Sequence, residues 1–183
     1  TGGCSPSCAS SAGTADDMNA ARISLRAFAV TVTIASNVLA QVVSAMTNDY
    51  GPRPQGIGWA IVFVAVAVDY VVCAVIAWRA IRSPVPGWLM VGAALFWAAG
   101  AWYPVTRDIA WLWPLMEGVT DLWAVLVGIL VLTYPTGRLA SRFDRVVAYT
   151  LAGAFLVRFL GILLFSSPTA AECGCVANAY ALF

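Results

Sequence analysis

Four ionisable side chains lie inside long apolar segments of this sequence: Asp69, Glu117, Asp121 and Arg158. A charged group at the centre of a bilayer costs roughly 2.5–3.5 kcal/mol on insertion scales, so such groups normally face the interior of a helical bundle and find partners there. Two interpretations are open. The four groups can form a structural ion pair beside one neutral acid, or they can form a cluster that senses a signal or handles ions.

The depth of these groups predicts which of them meet. At 1.5 Å per helical residue, Asp121 and Arg158 both lie about 18–20 Å from the same membrane edge, on neighbouring antiparallel segments. We therefore expect a buried Asp121–Arg158 ion pair. Asn37 and Asp69, at about 15–17 Å, are expected to join that layer. Glu117, one turn from Asp121 on the same face, is expected to be unpaired or protonated.

The first apolar segment carries five polar residues at steps of four, four, three and four, which places them on one helical face: Thr33, Asn37, Gln41, Ser44 and Asn48. This face should avoid lipid. It can hold helices together, at about 0.6 kcal/mol per interhelical hydrogen bond, or it can line a polar cavity. With the ionisable groups it completes the predicted intramembrane polar cluster of Asn37, Gln41, Asp69, Glu117, Asp121 and Arg158.

The cysteines give no strong metal signal. Cys173 and Cys175 fall in a predicted outer loop, whereas Cys4 and Cys8 fall in a predicted cytoplasmic tail. A Cys-x-Cys pair supplies half of a tetrahedral zinc site. The two outer-loop thiols can form a strained disulfide, bind a soft metal with outside ligands, or be small loop residues. We predict neither a metal nor a cofactor for this chain.

The composition excludes several classes of function. All ten basic residues are Arg, so the 183 residues contain neither His nor Lys and cannot build a Ser-His-Asp triad or a lysine Schiff base. The net charge of +1 offers no cationic face for nucleic acid. With 61% hydrophobic and 10% charged residues, the chain points to a membrane protein whose main partner is the lipid bilayer.

These side chains must be positioned by membrane-spanning helices. We predict an all-α polytopic transmembrane bundle with five full spans and the start of a sixth near residue 177; the five lie at 27–47, 57–78, 87–105, 112–133 and 147–166. Residues 1–21 are expected to be a disordered cytoplasmic tail. Residues 22–183 are expected to be the transmembrane domain, truncated at its C-terminus.

The arginines predict the orientation of the chain. With the N-terminus in the cytoplasm, seven of them fall inside and two outside, the inner group being Arg22, Arg26, Arg79, Arg82, Arg138, Arg142 and Arg145 and the outer group Arg53 and Arg107. This asymmetry predicts a multi-pass protein of the plasma (cytoplasmic) membrane with a cytoplasmic N-terminus.

The most distinctive segment is the predicted cytoplasmic loop at 134–145, which reads YPTGRLASRFDR. Pro and Gly stop the preceding span, and three arginines hold the loop at the anionic inner leaflet. The residues that carry the motif are Tyr134, Pro135, Gly137, Arg138, Arg142, Asp144 and Arg145.

This loop resembles the intracellular loop of the N-terminal membrane domain of multi-pass sensor histidine kinases from high-GC bacteria, and the spacing of Cys173, Cys175 and Asn178 resembles an outer loop of the same proteins. The resemblance covers roughly residues 130–180. It implies a sensory or anchoring domain that forms a homodimer through a missing cytoplasmic region and reaches a response regulator through a missing kinase domain. The chain itself is expected not to be an enzyme.

A second class of function stays open. A small transporter or channel could use the ionisable cluster as a site at the middle of the membrane. Against it, the second and fourth spans lack the central Gly or Pro breaks that are typical of discontinuous transporter helices. A scaffold without a ligand is the third class.

Overall fold

The computed structural model describes residues 10–47, 57–81, 83–166 and 177–182, and these contain helices and turns but no strand. The elements are α1 (Ser10–Thr47), α2 (Ile57–Ala80), α3 (Val85–Trp97), a 3₁₀ turn (Ala99–Trp102), α4 (Tyr103–Thr106), α5 (Trp113–Thr120), α6 (Leu122–Thr133) and α7 (Arg142–Phe165). Five helical stretches are long and apolar enough to cross a membrane, which confirms the predicted all-α transmembrane bundle.

The first helix begins earlier than the sequence predicts. Its helical residues start at Ser10, so residues 10–21 are helical where a disordered tail was expected, while residues 1–9 lie outside the described part. The segment contains four Ala among its twelve residues, and Ala extends an existing helix at small cost once the apolar part behind it has nucleated it.

The third span is less regular than the predicted 87–105 segment. Regular helix ends at Trp97 and is followed by the 3₁₀ turn and by the single turn of α4. Gly100 favours this change because it lowers helix propensity, and Pro104 cannot donate the backbone hydrogen bond that would continue the helix.

Helix α3 is the centre of the bundle. It packs against α1, α2 and α6. Helix α7 in turn packs against α5 and α6. The contacts rely on small side chains, since Ala93, Ala94 and Ala98 are fully buried. Small residues let helix backbones approach closely, which is how membrane helices gain packing energy without a hydrophobic driving force.

Aromatic rings connect helices α2, α3 and α6. The Trp97 ring of α3 lies 5.1 Å from Phe63 of α2 and 4.9 Å from Trp123 of α6, the second pair edge to face. Such pairs contribute about 0.5–1.5 kcal/mol beyond their buried area. The Trp97 side chain therefore joins all three helices through ring contacts.

The two ends of the bundle differ in chemistry. The end that carries Arg138, Arg142 and Arg145, here called the arginine end, also holds Trp78 and Trp88 at 5.2 Å and the Arg26 guanidinium 5.2 Å above the Trp78 ring. The opposite end, here called the far end, holds residues 177–182. Where the sequence predicts the start of a sixth span, these residues form a turn that packs against α7.

Candidate functional site

The fourth span is interrupted at Asp121. Helix α5 ends at Thr120 and α6 starts at Leu122, with Asp121 between them at φ −75° and ψ −6°. The Thr120 hydroxyl donates to the carbonyl of Met116 at 2.8 Å, and the Ala124 amide donates to the carbonyl of Asp121 at 3.1 Å. A Thr that bonds back four residues bends a helix, and an i to i+3 bond is a tightened turn.

This break corrects one expectation from the sequence. The fourth span contains no Pro at its centre, and Gly118 lies in the regular part of α5, yet Asp121 forms a one-residue turn between two helices while its dihedral angles stay in the right-handed helical region. Thr33 makes the same bond four residues back inside the unbroken α1, so the Thr120 bond alone does not account for the turn.

The predicted ion pair is present at the break. The Arg158 Nε of α7 donates to Asp121 Oδ2, joining the interrupted span to the last one. The predicted pairing is confirmed, but the expectation that the pair is buried is wrong. Within the chain, 56% of the Arg158 side chain and 38% of the Asp121 side chain are exposed, because α7 forms the edge of the bundle.

A close approach of two helices brings the pair together. A Cβ placed at Gly118 would lie 2.6 Å from Cδ2 of Phe159, so the glycine leaves room for the ring that follows Arg158. The Phe159 ring also stacks on the Phe155 ring, with the ring centres 6.0 Å apart. Gly118 is therefore a packing requirement of the site, and sequence reasoning assigned it no role.

Glu117 lies one turn from the break and lines a small cavity of about 10 Å³. Thr120, Thr106 and Trp113 are among the cavity's other lining residues. This volume is near the lower limit for one water molecule. Among the described residues Glu117 forms no ion pair within 4 Å.

The polar face of α1 bonds to its neighbours. The Asn37 Nδ2 group donates to the carbonyls of Thr33 at 2.9 Å and Ala94 at 3.3 Å, and Ser44 Oγ donates to the carbonyl of Ala101 at 3.0 Å. Asn37 is 1% exposed, and its Oδ1 has no hydrogen-bond partner. These bonds favour the interpretation in which the face holds helices together.

Two members of the predicted cluster stand apart from it. Asp69 is exposed on α2, which packs against α1 and α3, so it does not join Asn37 in a common buried layer. Gln41 is half-buried and lines an apolar groove between α1 and α2 with Val38, Val42 and Val64. Asn48 lies outside the described residues. The structure therefore joins Asp121 to Arg158 and places Glu117 beside them.

The 134–145 loop is a fixed structure. Gly137 has a φ of +71°, donates its amide to the carbonyl of Thr133 at 2.7 Å, and packs so closely on Ser83 that a Cβ would overlap it. The Tyr134–Pro135 bond is cis. Ser141 and Asp144 form a capping box at the start of α7, with hydrogen bonds of 3.0 and 2.8 Å.

The motif arginines have a different part in this loop. Arg138, Arg142 and Arg145 are exposed, and the Arg145 Nε makes a long 3.5 Å hydrogen bond to the Ser141 carbonyl. Gly137 and Asp144 define the backbone conformation of the loop. The three arginine side chains are instead exposed, where they can contact an anionic surface.

At the far end, Asn178 caps α7. Its Nδ2 group lies 3.3, 3.0 and 2.9 Å from the carbonyls of Ile162, Leu163 and Ser166, and its Oδ1 accepts from the Tyr180 amide at 2.8 Å. These carbonyls lie at the C-terminal end of the helix, where the last carbonyls lack i to i+4 partners, and the Ile162 carbonyl also accepts from the Ser166 amide at 3.2 Å. In the sequence, only the resemblance of the outer loop to that of sensor kinases had pointed to Asn178.

Cys173 and Cys175 lie outside the described residues. Within the described ranges, no group of three Cys, Asp or Glu side chains could hold a metal ion. Comparisons with protein-family profiles, with curated proteins and with solved structures found no match to this chain.

Proposed function

We propose that this chain is the membrane-embedded sensory and anchoring domain of a bacterial sensor histidine kinase. The observation that carries the proposal is the 134–145 loop, in which Gly137, Ser141 and Asp144 define the backbone while three arginines stay exposed. This arrangement presents a rigid, cationic surface at one end of α7. The loop also resembles the intracellular loop of multi-pass sensor kinases, and this resemblance supports the proposed function.

Helix α7 offers a physical route for a signal. It is an unbroken helix from Arg142 to Phe165, capped by Ser141 at the arginine end and by Asn178 at the far end. Between the caps it is tied to the interrupted span through Asp121 and Arg158. A stimulus that favours one arrangement of this tie would shift α7 relative to α6, and such a shift in population is how a ligand changes a packed bundle.

The proposal includes an orientation. The arginine end faces the cytoplasm and the chain resides in the plasma membrane, because basic residues concentrate on the cytoplasmic side of membrane proteins. The N-terminus is then cytoplasmic as well. A catalytic region and a homodimer contact would belong to a cytoplasmic part of a longer protein, and a response regulator would be reached through that part.

One experiment tests the proposal. The gene is read in frame across the codon for Phe183, and the complete protein is assayed in membrane vesicles for ATP-dependent autophosphorylation. A cytoplasmic helix with a phospho-accepting His, an ATP-binding domain and autophosphorylation that changes on Arg158→Gln would support it. A matched control is Leu156→Val, on an exposed part of the same helix. Further spans without a kinase region would overturn it.

A transporter or channel fragment is the second candidate, and the break at Asp121 favours it. Discontinuous helices with polar groups at the middle of the membrane are typical of ion-coupled transporters. Glu117, beside a cavity the size of one water, would be the proton or ion ligand. Proteoliposomes that contain a pH-sensitive dye should then show a flux that Glu117→Gln abolishes, and an absence of flux would exclude this candidate.

A further inference from the structure

An apolar groove lies between α1 and α2, in the half of these helices that is farther from the arginine end. Its volume is about 490 Å³. Val38 and Val42 of α1 line one side, and Ile61, Val64 and Ala65 of α2 line the other. Small-molecule sites commonly have volumes of roughly 300–1,000 Å³ and walls that are mostly apolar. The α1–α2 groove therefore has the size and the lining of a ligand site.

Two polar side chains adjoin this apolar surface. Gln41 lines the groove itself and is half-buried. Asp69 follows Ala65 by four residues on α2, and both are exposed, so the two share one side of the helix. Side chains on a helix tilt toward its N-terminus, which in α2 is the direction of the groove. The Asp69 side chain therefore leans toward the mid-membrane end of the groove.

The Asp69 carboxylate has no counter-charge nearby in the described part of the chain. No arginine there lies within 4 Å of it, and the mid-membrane cation Arg158 is paired with Asp121. An ionised carboxylate about 15–17 Å from the membrane edge is costly without a partner. A ligand that brings a positive charge to this end of the groove would reduce that cost.

We propose that the α1–α2 groove binds a lipophilic monocation, with the apolar body of the ligand between Val38, Val42 and Val64 and its positive centre beside Asp69. Charge complementarity selects a cation, and the apolar walls select a body without further charges. The site lies away from the 134–145 loop and from α7, on which the proposed function rests, and it goes beyond that function.

Two probe ions of similar size and opposite charge test the proposal on the unaltered chain. The full chain, in nanodiscs of zwitterionic lipid, is titrated by equilibrium dialysis with tetraphenylphosphonium and separately with tetraphenylborate, and empty nanodiscs give the partition into lipid. The phosphonium should bind saturably at one ion per chain, whereas the borate should not. Equal binding of both ions would show a groove that is filled by any apolar body. That result, or no saturable binding of the phosphonium, would overturn the proposal.

A substitution at Asp69 tests the role of the carboxylate. Asp69→Asn should weaken phosphonium binding by roughly tenfold or more, because the attraction between the two charges is lost. The matched control is Asp108→Asn, which removes an exposed carboxylate beside Arg107 and outside the groove. It should leave the affinity unchanged. An equal loss in both variants would assign the effect to the overall charge and contradict a site at Asp69, as would unchanged binding by Asp69→Asn.

A substitution that fills the groove tests its location. Ala65→Phe should abolish saturable binding, whereas Ala154→Phe, at an exposed alanine of α7, should retain it. The melting temperature of each variant shows whether the bundle is intact. Full binding by an intact Ala65→Phe protein would place the ligand elsewhere and overturn the proposal. None of these readouts uses autophosphorylation, so the groove and the proposed function can fail separately.

Discussion

Arg158 and Asp121 form an ion pair that connects a continuous helix to an interrupted one. Arg158 lies within α7, whereas Asp121 is the residue at which the fourth span stops and restarts. The carboxylate is thus held at the end of one short helix and the start of another. A change at either residue should alter the geometry of both spans.

The first prediction concerns the strength of this pair. Asp121→Asn and Arg158→Gln should be coupled by about 1 kcal/mol in a double-mutant cycle on the free energy of unfolding in detergent, because exposure reduces the attraction between the charges. This is well below the roughly 3–5 kcal/mol loss that breaking a fully buried pair produces.

Asp69 supplies the control for this cycle. It is exposed on α2, which packs against α1 and α3, while α7 packs against α5 and α6. The effects of Asp69→Asn and Arg158→Gln should therefore add. Coupling to Asp69 with additivity to Asp121 would contradict the observed pairing.

The sequence predicted the number of spans and the identity of the ion pair for simple physical reasons. Hydropathy reports whether a segment can cross a bilayer, and a constant rise per residue converts position into depth. These two quantities identified Asp121 and Arg158 as neighbours. They carry no information on which side of a helix meets lipid.

The errors follow from that missing information. Asp69 is surrounded by apolar residues on all sides of α2, so periodicity could not predict that it would be exposed. The exposure of Arg158 depends on α7 lying at the edge of the bundle, which is a property of the whole fold. The turn at Asp121 is a local change of backbone conformation, which hydropathy does not detect.

The second prediction concerns the contact between α5 and α7. Gly118→Ala should lower the free energy of unfolding by about 1–3 kcal/mol, because the new methyl group would lie 2.6 Å from the Phe159 ring. The matched control is Gly153→Ala, where a Cβ meets nothing within 4 Å and the gain in helix propensity remains.

A second-site variant identifies the cause of the Gly118 effect. Phe159→Leu in the Gly118→Ala background should recover part of the lost stability, because the smaller side chain removes the clash. Equal losses at Gly118 and Gly153 would show that general helix properties, rather than the Phe159 contact, determine the result.

The third prediction concerns the cap at the far end of α7. Asn178→Ala should cost about 1–3 kcal/mol, because three carbonyls of α7 lose the amide that they share. Hydrogen exchange should accelerate at the backbone amides of the last turn, including Ser166, and stay unchanged near Ser141 at the other end of the helix. Uniform acceleration along α7 would instead indicate global destabilisation.

The fourth prediction concerns Gly137 in the loop of the arginine end. Its φ of +71° is a conformation that other residues rarely adopt, and a Cβ would overlap Ser83. Gly137→Ala should destabilise the protein by at least 1 kcal/mol. Adding Ser83→Gly should remove the overlap but leave the backbone cost, so partial recovery is expected. Full recovery would show that the conformation itself carries no penalty.

The last prediction concerns the orientation of the chain. In intact cells, a membrane-impermeant thiol reagent should label Cys173 or Cys175 after mild reduction and should spare Cys4 and Cys8. Replacing Arg138, Arg142 and Arg145 with Gln should produce a mixed labelling pattern, because in the proposed orientation these exposed cations would hold the arginine end at the anionic leaflet. Replacing Arg107, at the opposite end of the third span, should leave the pattern unchanged. Labelling of Cys4 and Cys8 alone in the unaltered chain would reverse the proposed topology, and it would place the 134–145 loop outside the cell, where it could not couple to a kinase.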